Sequence, residues 1–451
     1  MLYHNKAMFI HPVILEKKGR ISWVVGNNGS SVVINPFRDV EVYFNIANER
    51  SLPIKYCFLT HIDDEIVLGC SELAHRGIRV FVPADWDIQY PHIVPDIPVK
   101  WEGFFIKRAS LPVSVYEEEG LWEWFLGEEI KIIVSGPTIS IGGIPEIASS
   151  STTALKKKLA AVFGKLNELT QRYSPDTIVL PTAFHSSVLE GEFKLPYKFE
   201  YWIDDIKDVR DFAETDPWYF YKPESGWHKI RREKNRIELP TMEEVISPLK
   251  TVLEEIPDNA VVLDIRSVEE IEYGFIPQAN YLPVNLLEEY AEKLVPPGAP
   301  VVLVGNESEA ISVGIRLARL GIDKFLGRID FMKWRETHEF DMIIPITGEE
   351  LELDFQTDDS FFLIDVRPEH IVNETGIISS AENIPFEGLL ALDYRFKEGD
   401  KVYVYGRDGG EAIMGAMILK RKGAPIVRAV ITPFEDLLDL DLPTYRIINL
   451  K

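Results

Sequence analysis

The sequence of 451 residues contains only two cysteines, Cys57 and Cys70, and nine histidines. So few thiols exclude a disulfide framework and a cysteine-rich metal site. Basic residues are also scarce, since 48 Lys and Arg stand against 72 Asp and Glu, for a formal net charge of -24. Nucleic acids and anionic membrane surfaces bind basic footprints, so neither partner is expected.

Long hydrophobic runs are missing as well. The segment from Met8 to Leu15 is too short and too interrupted for a signal peptide or a membrane span, so we expect a cytoplasmic protein. The 46% hydrophobic and 11% aromatic content is typical of folded domains. A chain of this length predicts two to four of them.

An internal repeat occupies the second half of the chain. Its first copy has the apolar runs 261–263 and Val301–Val304, and its second copy has the apolar runs 362–364 and Val402–Tyr405. Strands that alternate with helices at this spacing predict a mainly parallel sheet with helices on both faces. We therefore expect three domains, at residues 1–240, 241–343 and 344–451.

Residues 195–236 show little periodicity, which predicts an irregular extension packed on the first domain.

Each copy of the repeat also has an acid and a base at a strand end, Asp264 with Arg266 and Asp365 with Arg367. We expect these pairs to tie loops together.

A polar loop, Thr60–Ile66, lies between an apolar run that predicts a buried strand and a run, 67–76, that predicts a helix. Such loops are where α/β folds place their chemistry. His61, Asp63 and Asp64, with the more distant His185, offer ligands for one hard divalent cation such as Mg²⁺, Mn²⁺ or Ca²⁺. In the other interpretation, Asp63 or Asp64 caps the following helix.

The loop and its flanking pattern resemble the metallo-β-lactamase superfamily, whose loop runs Thr-His-x-His-x-Asp-His, and the repeat resembles the rhodanese domain. Together they resemble the bacterial persulfide dioxygenase–rhodanese fusions. The resemblance implies an α/β chain in which an N-terminal αββα sandwich precedes two rhodanese-like αβα domains. It also implies an iron ion held by two histidines and one aspartate.

The resemblance also shows which family residues this chain lacks. His61 matches the first histidine, but Ser114 and Ala183 stand where the group has histidines, and Pro137 stands where it has aspartate. Gly305 and Gly406 stand where rhodanese keeps the cysteine that carries sulfur as a persulfide.

These losses predict a catalytically inactive binding or scaffold protein in sulfur metabolism, with no catalytic residue and no cofactor. The alternative is a metal-dependent hydrolase or oxygenase with one divalent ion in a rebuilt site near His61. Both hypotheses are compatible with a protein partner or a homo-oligomer. Arg407, beside Gly406, is expected to be an exposed loop arginine.

Overall fold

The structure is a computed structural model that describes residues 8–109, 112, 114–185, 197–357 and 360–445, without the side chains of residues 211, 212, 214, 215 and 218. Leu111 and Val113, which lie just before Ser114, the position matched to a family histidine, are outside this range. The chain divides into two compact units, Met1–Met242 with Ala318–Gly321 and Glu243–Leu317 with Ile322–Lys451. No helix in the described ranges is long and apolar enough to cross a bilayer.

The first unit contains two five-stranded sheets. The first sheet has the order β1-β2-β3-β4-β5, with strands β1 (Met8–Leu15), β2 (Arg20–Asn27), β3 (Ser30–Ile34), β4 (Ile54–Phe58) and β5 (Arg79–Phe81). The second sheet has the order β11-β9-β8-β7-β6, with strands β6 (Val99–Trp101), β7 (Phe104–Ala109), β8 (Leu121–Leu126), β9 (Glu129–Ser135) and β11 (Ile178–Pro181). A separate parallel pair joins β10 (Ile147–Ser149) to β12 (Tyr221–Pro223).

Helices cover the outer faces of both sheets. They are α1 (Glu41–Glu49), α2 (Cys70–His75), α3 (Thr152–Gly164), α4 (Leu166–Arg172) and α5 (Phe199–Thr215). The unit also contains α6 (Gly226–Lys234) and 3₁₀ turns at Glu16–Lys18 and Pro217–Phe220. Strand β2 shows how the layers form, because Trp23 and Val25 belong to the core between the sheets while Val24 packs on the helix side. The predicted αββα sandwich is confirmed.

Two sequence predictions for this unit need correction. The expected irregular extension contains the 17-residue helix α5. The apolar pattern of residues 154–172 predicts one long helix, but the structure has two helices that meet near Lys165. The aromatic residues of the extension are nevertheless buried as predicted at Trp202, Phe220 and Trp227, whereas Tyr219 is 37% exposed.

The second unit contains two parallel sheets that repeat the same order of strands. The first has the order β14-β13-β15-β16, with strands β13 (Val261–Asp264), β14 (Asn280–Tyr281), β15 (Val301–Val304) and β16 (Phe325–Ile329). The second has the order β17-β22-β21-β18-β20, with strands β17 (Ile344–Ile346), β18 (Phe362–Asp365), β20 (Ala381–Asn383), β21 (Lys401–Tyr405) and β22 (Ile426–Val430). Their shared core of four parallel strands confirms the internal repeat.

Short helices connect these strands. They are α7 (Met242–Ile246), α8 (Val268–Ile271), α9 (Leu287–Leu294), α10 (Glu307–Arg319), α11 (Phe331–Trp334), α12 (Gly348–Gln356), α13 (Glu369–Thr375), α14 (Phe386–Ala391), α15 (Gly409–Arg421) and α16 (Phe434–Leu437). The remaining elements are 3₁₀ turns at Ser247–Lys250 and Val284–Leu286 and an antiparallel pair of β19 (Ile377–Ile378) with β23 (Thr444–Tyr445). In each copy a polar loop follows the central strand, β15 or β21, and leads into the long helix α10 or α15.

Candidate functional site

The His61 loop follows β4 at the edge of the sandwich. The helix after it, α2, begins only at Cys70, with Gly69 as its N-cap residue. The prediction that Asp63 or Asp64 caps this helix is therefore wrong. Asp63 Oδ1 instead accepts hydrogen bonds from the backbone N–H groups of Glu65 at 2.7 Å and Ile66 at 3.2 Å, within the loop itself.

The fully buried His61 ring has both of its nitrogens engaged. The Thr60 N–H donates to Asn35 Oδ1 at 2.8 Å, which orients the amide so that Asn35 Nδ2 faces His61 Nδ1 at 2.9 Å. An amide nitrogen can only donate, so we assign Nδ1 as the acceptor and the ring proton to Nε2. Nε2 lies 2.9 Å from Asp63 Oδ2, so neither nitrogen offers a lone pair to a metal ion.

A buried arginine shares the same carboxylate. Arg20 Nε donates to Asp63 Oδ2 at 2.8 Å, and the Arg20 side chain is only 3% exposed. Burial alone would raise the pKa of Asp63, but the Arg20 charge and the His61 hydrogen bond hold that pKa below its ordinary value. The guanidinium thus supplies the positive charge that an ion would supply in a metal site.

Arg20 lies beside one of the positions where a family histidine is missing. It pairs with Ala183 in an isolated antiparallel bridge, and the backbone hydrogen bonds run on either side of this pair. In such a non-hydrogen-bonded pair the two side chains lie on the same face and close together. A long side chain at position 183 would compete with Arg20 for space, whereas the alanine methyl does not.

The other two acids of the loop are also paired with cations. Glu65 contacts His228 Nε2 at 3.0 Å and Lys222 Nζ at 2.9 Å, and Asp64 contacts Arg232 Nη1 at 3.3 Å. Burial raises the pKa of Glu65, but the His228 hydrogen bond and the Lys222 charge lower it well below its ordinary value. Burial and the adjacent carboxylates raise the pKa of Asp64. In the sequence His228 had no ligand spacing, yet the fold brings it to this loop.

Ser114 and Pro137, the remaining positions that match family ligands, have structural roles. The Ser114 hydroxyl contacts the Glu119 carboxylate, which also accepts from the Thr138 N–H at 2.8 Å and the Thr138 hydroxyl at 2.7 Å. Burial raises the pKa of Glu119, against the lowering effect of these hydrogen bonds. Pro137 is buried and carries no ligating atom.

His185 does not join His61, Asp63 and Asp64. Its ring stacks on Tyr219 with a centroid separation of 4.4 Å, and its Nδ1 lies 3.2 Å from the Tyr219 hydroxyl. Across the described part of the chain, no group of three His, Cys, Asp or Glu side chains is arranged to hold a metal ion. The residues present therefore fit neither the iron of the resemblance nor the hard divalent cation that the loop suggested.

In the second copy of the repeat, a glutamate fills the loop where rhodanese has cysteine. A Cβ added to Gly406 would lie 2.8 Å from the Cβ and 2.9 Å from Oε2 of Glu411. The Glu411 side chain is 1% exposed, and its carboxylate accepts from the Arg407 N–H at 2.7 Å. This loop has no room for a sulfur-bearing side chain.

The first copy is different. A Cβ added to Gly305 would meet Ile265 Cγ1 at 3.1 Å, a tighter but tolerable contact. The Gly305 loop opens into a cavity of about 360 Å³ whose lining includes Arg266 and Arg328. The first copy thus has a cavity beside Gly305, the position that the resemblance assigns to the cysteine.

The expectation that Arg407 is a simple exposed loop arginine is wrong. Its Nη2 lies 3.0 Å from the Glu289 carboxylate and 2.9 Å from Glu411 Oε1, while the Tyr290 hydroxyl donates to Glu411 Oε1 at 2.6 Å. We call Glu289, Tyr290, Arg407 and Glu411 the second-loop clasp, because they join the two copies of the repeat within the second unit.

The strand-end pairs act as the sequence predicted. Arg266 bonds both oxygens of Asp264 and the Gly274 carbonyl, and Arg367 bonds both oxygens of Asp365 and a carbonyl in the following loop. Both arginines are at least 95% buried in these contacts. They tie each strand end to the segment that follows the next short helix, α8 or α13.

Comparison with known proteins places these features on a known fold. No protein-family profile matches the sequence, and no curated protein matches it. The chain is similar to a metallo-β-lactamase from Staphylococcus aureus subsp. aureus COL, with 16% identity and a TM-score of 0.57, over 72% of this chain and 99% of that one. This likeness shows the metallo-β-lactamase fold.

Two weaker likenesses accompany it. One is to ETHE1 from Myxococcus xanthus, with 10% identity and a TM-score of 0.33, over 45% of this chain and 90% of that one. The other is to a rhodanese-like domain from Anabaena sp, with 20% identity and a TM-score of 0.22, over 24% of this chain and 84% of that one. Scores of this size do not assign a fold.

Proposed function

We propose that this chain is a metal-free, catalytically inactive relative of the persulfide dioxygenase–rhodanese fusions that acts as a cytoplasmic binding or scaffold protein in sulfur metabolism. The observation that carries the proposal is the Arg20–Asp63–His61 arrangement. A metal ion there would have to displace a buried guanidinium from Asp63 and break the hydrogen bonds of both His61 nitrogens.

The repeat supports the same conclusion for sulfur transfer. A persulfide carrier needs a thiolate at the start of the long helix. Neither Gly305 nor Gly406 supplies one, and the two cysteines of the chain, Cys57 and Cys70, are buried in the first unit. The acids Glu307 and Glu411, in the first turns of α10 and α15, also repel anionic sulfur donors.

Elemental analysis of protein purified without a chelator tests the metal-free site. We expect substoichiometric metal that does not change in His61→Ala, in Asp63→Ala or in the control His92→Ala, whose ring lies outside the loop. Stoichiometric metal that is lost in the first two variants and kept in the control would instead establish the metal-dependent hydrolase or oxygenase.

Two activity assays test the lack of catalysis. We expect no oxygen uptake with glutathione persulfide and no sulfur transfer from thiosulfate to cyanide above the uncatalysed rate. Turnover in either assay would refute the proposal. Light scattering after size-exclusion chromatography would show whether the protein self-associates, as a homo-oligomeric scaffold requires.

A further inference from the structure

An open groove of about 750 Å³ lies in the second unit and is lined by residues of both copies of the repeat. The first copy contributes residues that follow β13 and β14, together with residues of α10. The second copy contributes residues 408–410, at the start of α15, and Ile431, just after β22. All of these residues belong to the second unit. We call this surface the repeat groove.

Apolar side chains form much of the repeat groove. They belong to Ile265, Val268, Tyr281, Pro283, Val284 and Ile431. Val284 is 41% exposed, whereas Tyr281 is 3% exposed and Ile265 is 2% exposed. A concave volume of this size accommodates several side chains, and exposed apolar residues inside it are typical of a surface that contacts another molecule.

The two arginines that line the repeat groove are neutralised by carboxylates that do not line it. Arg266 Nη2 lies 2.6 Å from Asp264 Oδ2, and the arginine side chain is 5% exposed. Arg316 Nη2 lies 2.6 Å from Glu288 Oε2, and its Nε lies 2.9 Å from the other oxygen of the same carboxylate. Neither cation is therefore available to balance the acids of the groove.

Three carboxylates of the lining have no such cation. Glu269, Glu309 and Asp408 form no ion pair with the described residues. Asp408 is the N-cap residue of α15, while Glu309 and Glu269 lie in the first turns of α10 and α8. A helix N-terminus carries at most about half an elementary positive charge, so it offsets only part of each carboxylate. The repeat groove thus combines apolar side chains with net negative charge.

We propose that the repeat groove binds a short segment of a partner protein that carries both basic and aliphatic side chains. The aliphatic side chains pack on Val284 and Ile431, and the basic side chains pair with Glu269, Glu309 and Asp408. Charge complementarity selects this partner, because an acidic segment would be repelled and a neutral one would leave the three carboxylates without cations. This partner class rests on the proposed function, since it states what the binding or scaffold protein binds.

Fluorescence polarisation with three labelled hexapeptides tests the proposal on the full chain. The probes are a leucine–arginine repeat, a serine–arginine repeat with the same charge, and a leucine–glutamate repeat with the opposite charge. We expect the leucine–arginine peptide to bind at least about tenfold more tightly than either of the others, because it alone satisfies both parts of the groove.

Two results with these probes would overturn the proposal. One is the absence of binding by the leucine–arginine peptide. The other is equal binding by the serine–arginine peptide, which would show a general attraction of cations to a chain with a net charge of -24 and no contribution from the apolar side chains.

Charge-neutral variants locate the site. Asp408→Asn and Glu309→Gln keep side chains that cap their helices, so the double variant should fold with little change in melting temperature. It should bind the leucine–arginine peptide about fivefold or more weakly. The matched control, Glu374→Gln with Glu398→Gln, removes two exposed acids of the second unit that do not line the groove and should leave binding unchanged. Equal weakening in both double variants would overturn the proposal.

Val284→Ser tests the apolar part separately. It should weaken binding of the leucine–arginine peptide by about threefold or more, because a contact between aliphatic side chains is lost. Binding of the serine–arginine peptide should not change, since that peptide makes no such contact. A variant that binds both peptides as the wild type does would contradict the assigned site.

The two proposals fail separately. Loss of peptide binding in a protein that is also metal-free and inactive removes the partner class and keeps the proposed inactivity. Turnover in either activity assay removes the proposed function, whatever the peptides do.

Discussion

Replacing Arg20 by methionine removes a buried charge and keeps a side chain of similar length. Asp63 would then remain in the interior with the His61 hydrogen bond but without its cation. Removing one partner of a buried ion pair costs about 3–5 kcal/mol, because the other charge stays desolvated. The Arg20 side chain is 3% exposed, so water does not reduce this loss of stability by solvating Asp63.

The matched control is Arg108→Met in the same unit. Arg108 lies 4.0 Å from Asp96, and these side chains are 37% and 96% exposed. An exposed pair of this kind contributes at most about 1 kcal/mol. The difference between the two arginine variants therefore isolates the effect of burial.

Urea unfolding followed by tryptophan fluorescence measures both variants, since eight of the nine tryptophans lie in the first unit. In the wild type the depressed pKa of Asp63 stabilises the fold above the unfolded-state pKa of about 4, and this contribution is lost as the pH falls further. Without Arg20 the buried carboxyl gains stability on protonation, so the deficit of the variant should be larger at a pH of about 7.5 than at about 5. A loss below about 1 kcal/mol, or a deficit that does not change with pH, would refute the reasoning.

Three further outcomes are expected. Gly406→Ala should destabilise the second unit by about 1–3 kcal/mol, because the new Cβ would lie 2.8 Å from the Glu411 Cβ. Gly305→Ala should cost less, because its Cβ would lie 3.1 Å from Ile265 Cγ1. Equal losses of the two variants in thermal unfolding would contradict this. Burial raises the pKa of Glu65, but the His228 hydrogen bond and the nearby cations outweigh burial and bring that pKa well below its ordinary value. The wild type should therefore lose more stability than Glu65→Gln as the pH falls from about 5 to about 3. Parallel acid-unfolding curves for the two proteins would count against this. Cys57 and Cys70 are at most 1% exposed, and burial raises the pKa of Cys57, so a thiol reagent should modify them only after unfolding; prompt reaction in native buffer would show that the first unit opens.

Local sequence patterns were sufficient to predict the sheet and helix layers of the first unit. The apolar run from Ile54 matches β4, and alternation along β2 separates Trp23 and Val25 from Val24. The signal for α5 was also present, since Phe199, Trp202 and Ile206 recur at helical spacing and are fully buried, but the charged residues between them obscured it. The break near Lys165 follows Gly164, a weak helix former at the end of α3.

The arrangement around the His61 loop could not be predicted, because it rests on contacts between residues that are distant in the sequence. Arg20 is 43 residues from Asp63, Asn35 is 26 from His61, and His228 is 163 from Glu65. Spacing along a single sequence can report which ligands are missing, but it cannot report what replaces them. A lone arginine at the start of an otherwise buried strand was the available clue, because a buried charge requires a partner somewhere in the fold.

The second-loop clasp affects how this protein can evolve. A cysteine at Gly406 would collide with Glu411, so Glu411 would have to shorten first. That change would leave the buried Tyr290 hydroxyl and the Arg407 guanidinium with fewer acceptors, so it would cost stability by itself. A thiol at position 406 therefore requires two coupled changes, whereas a thiol at position 305 requires one substitution.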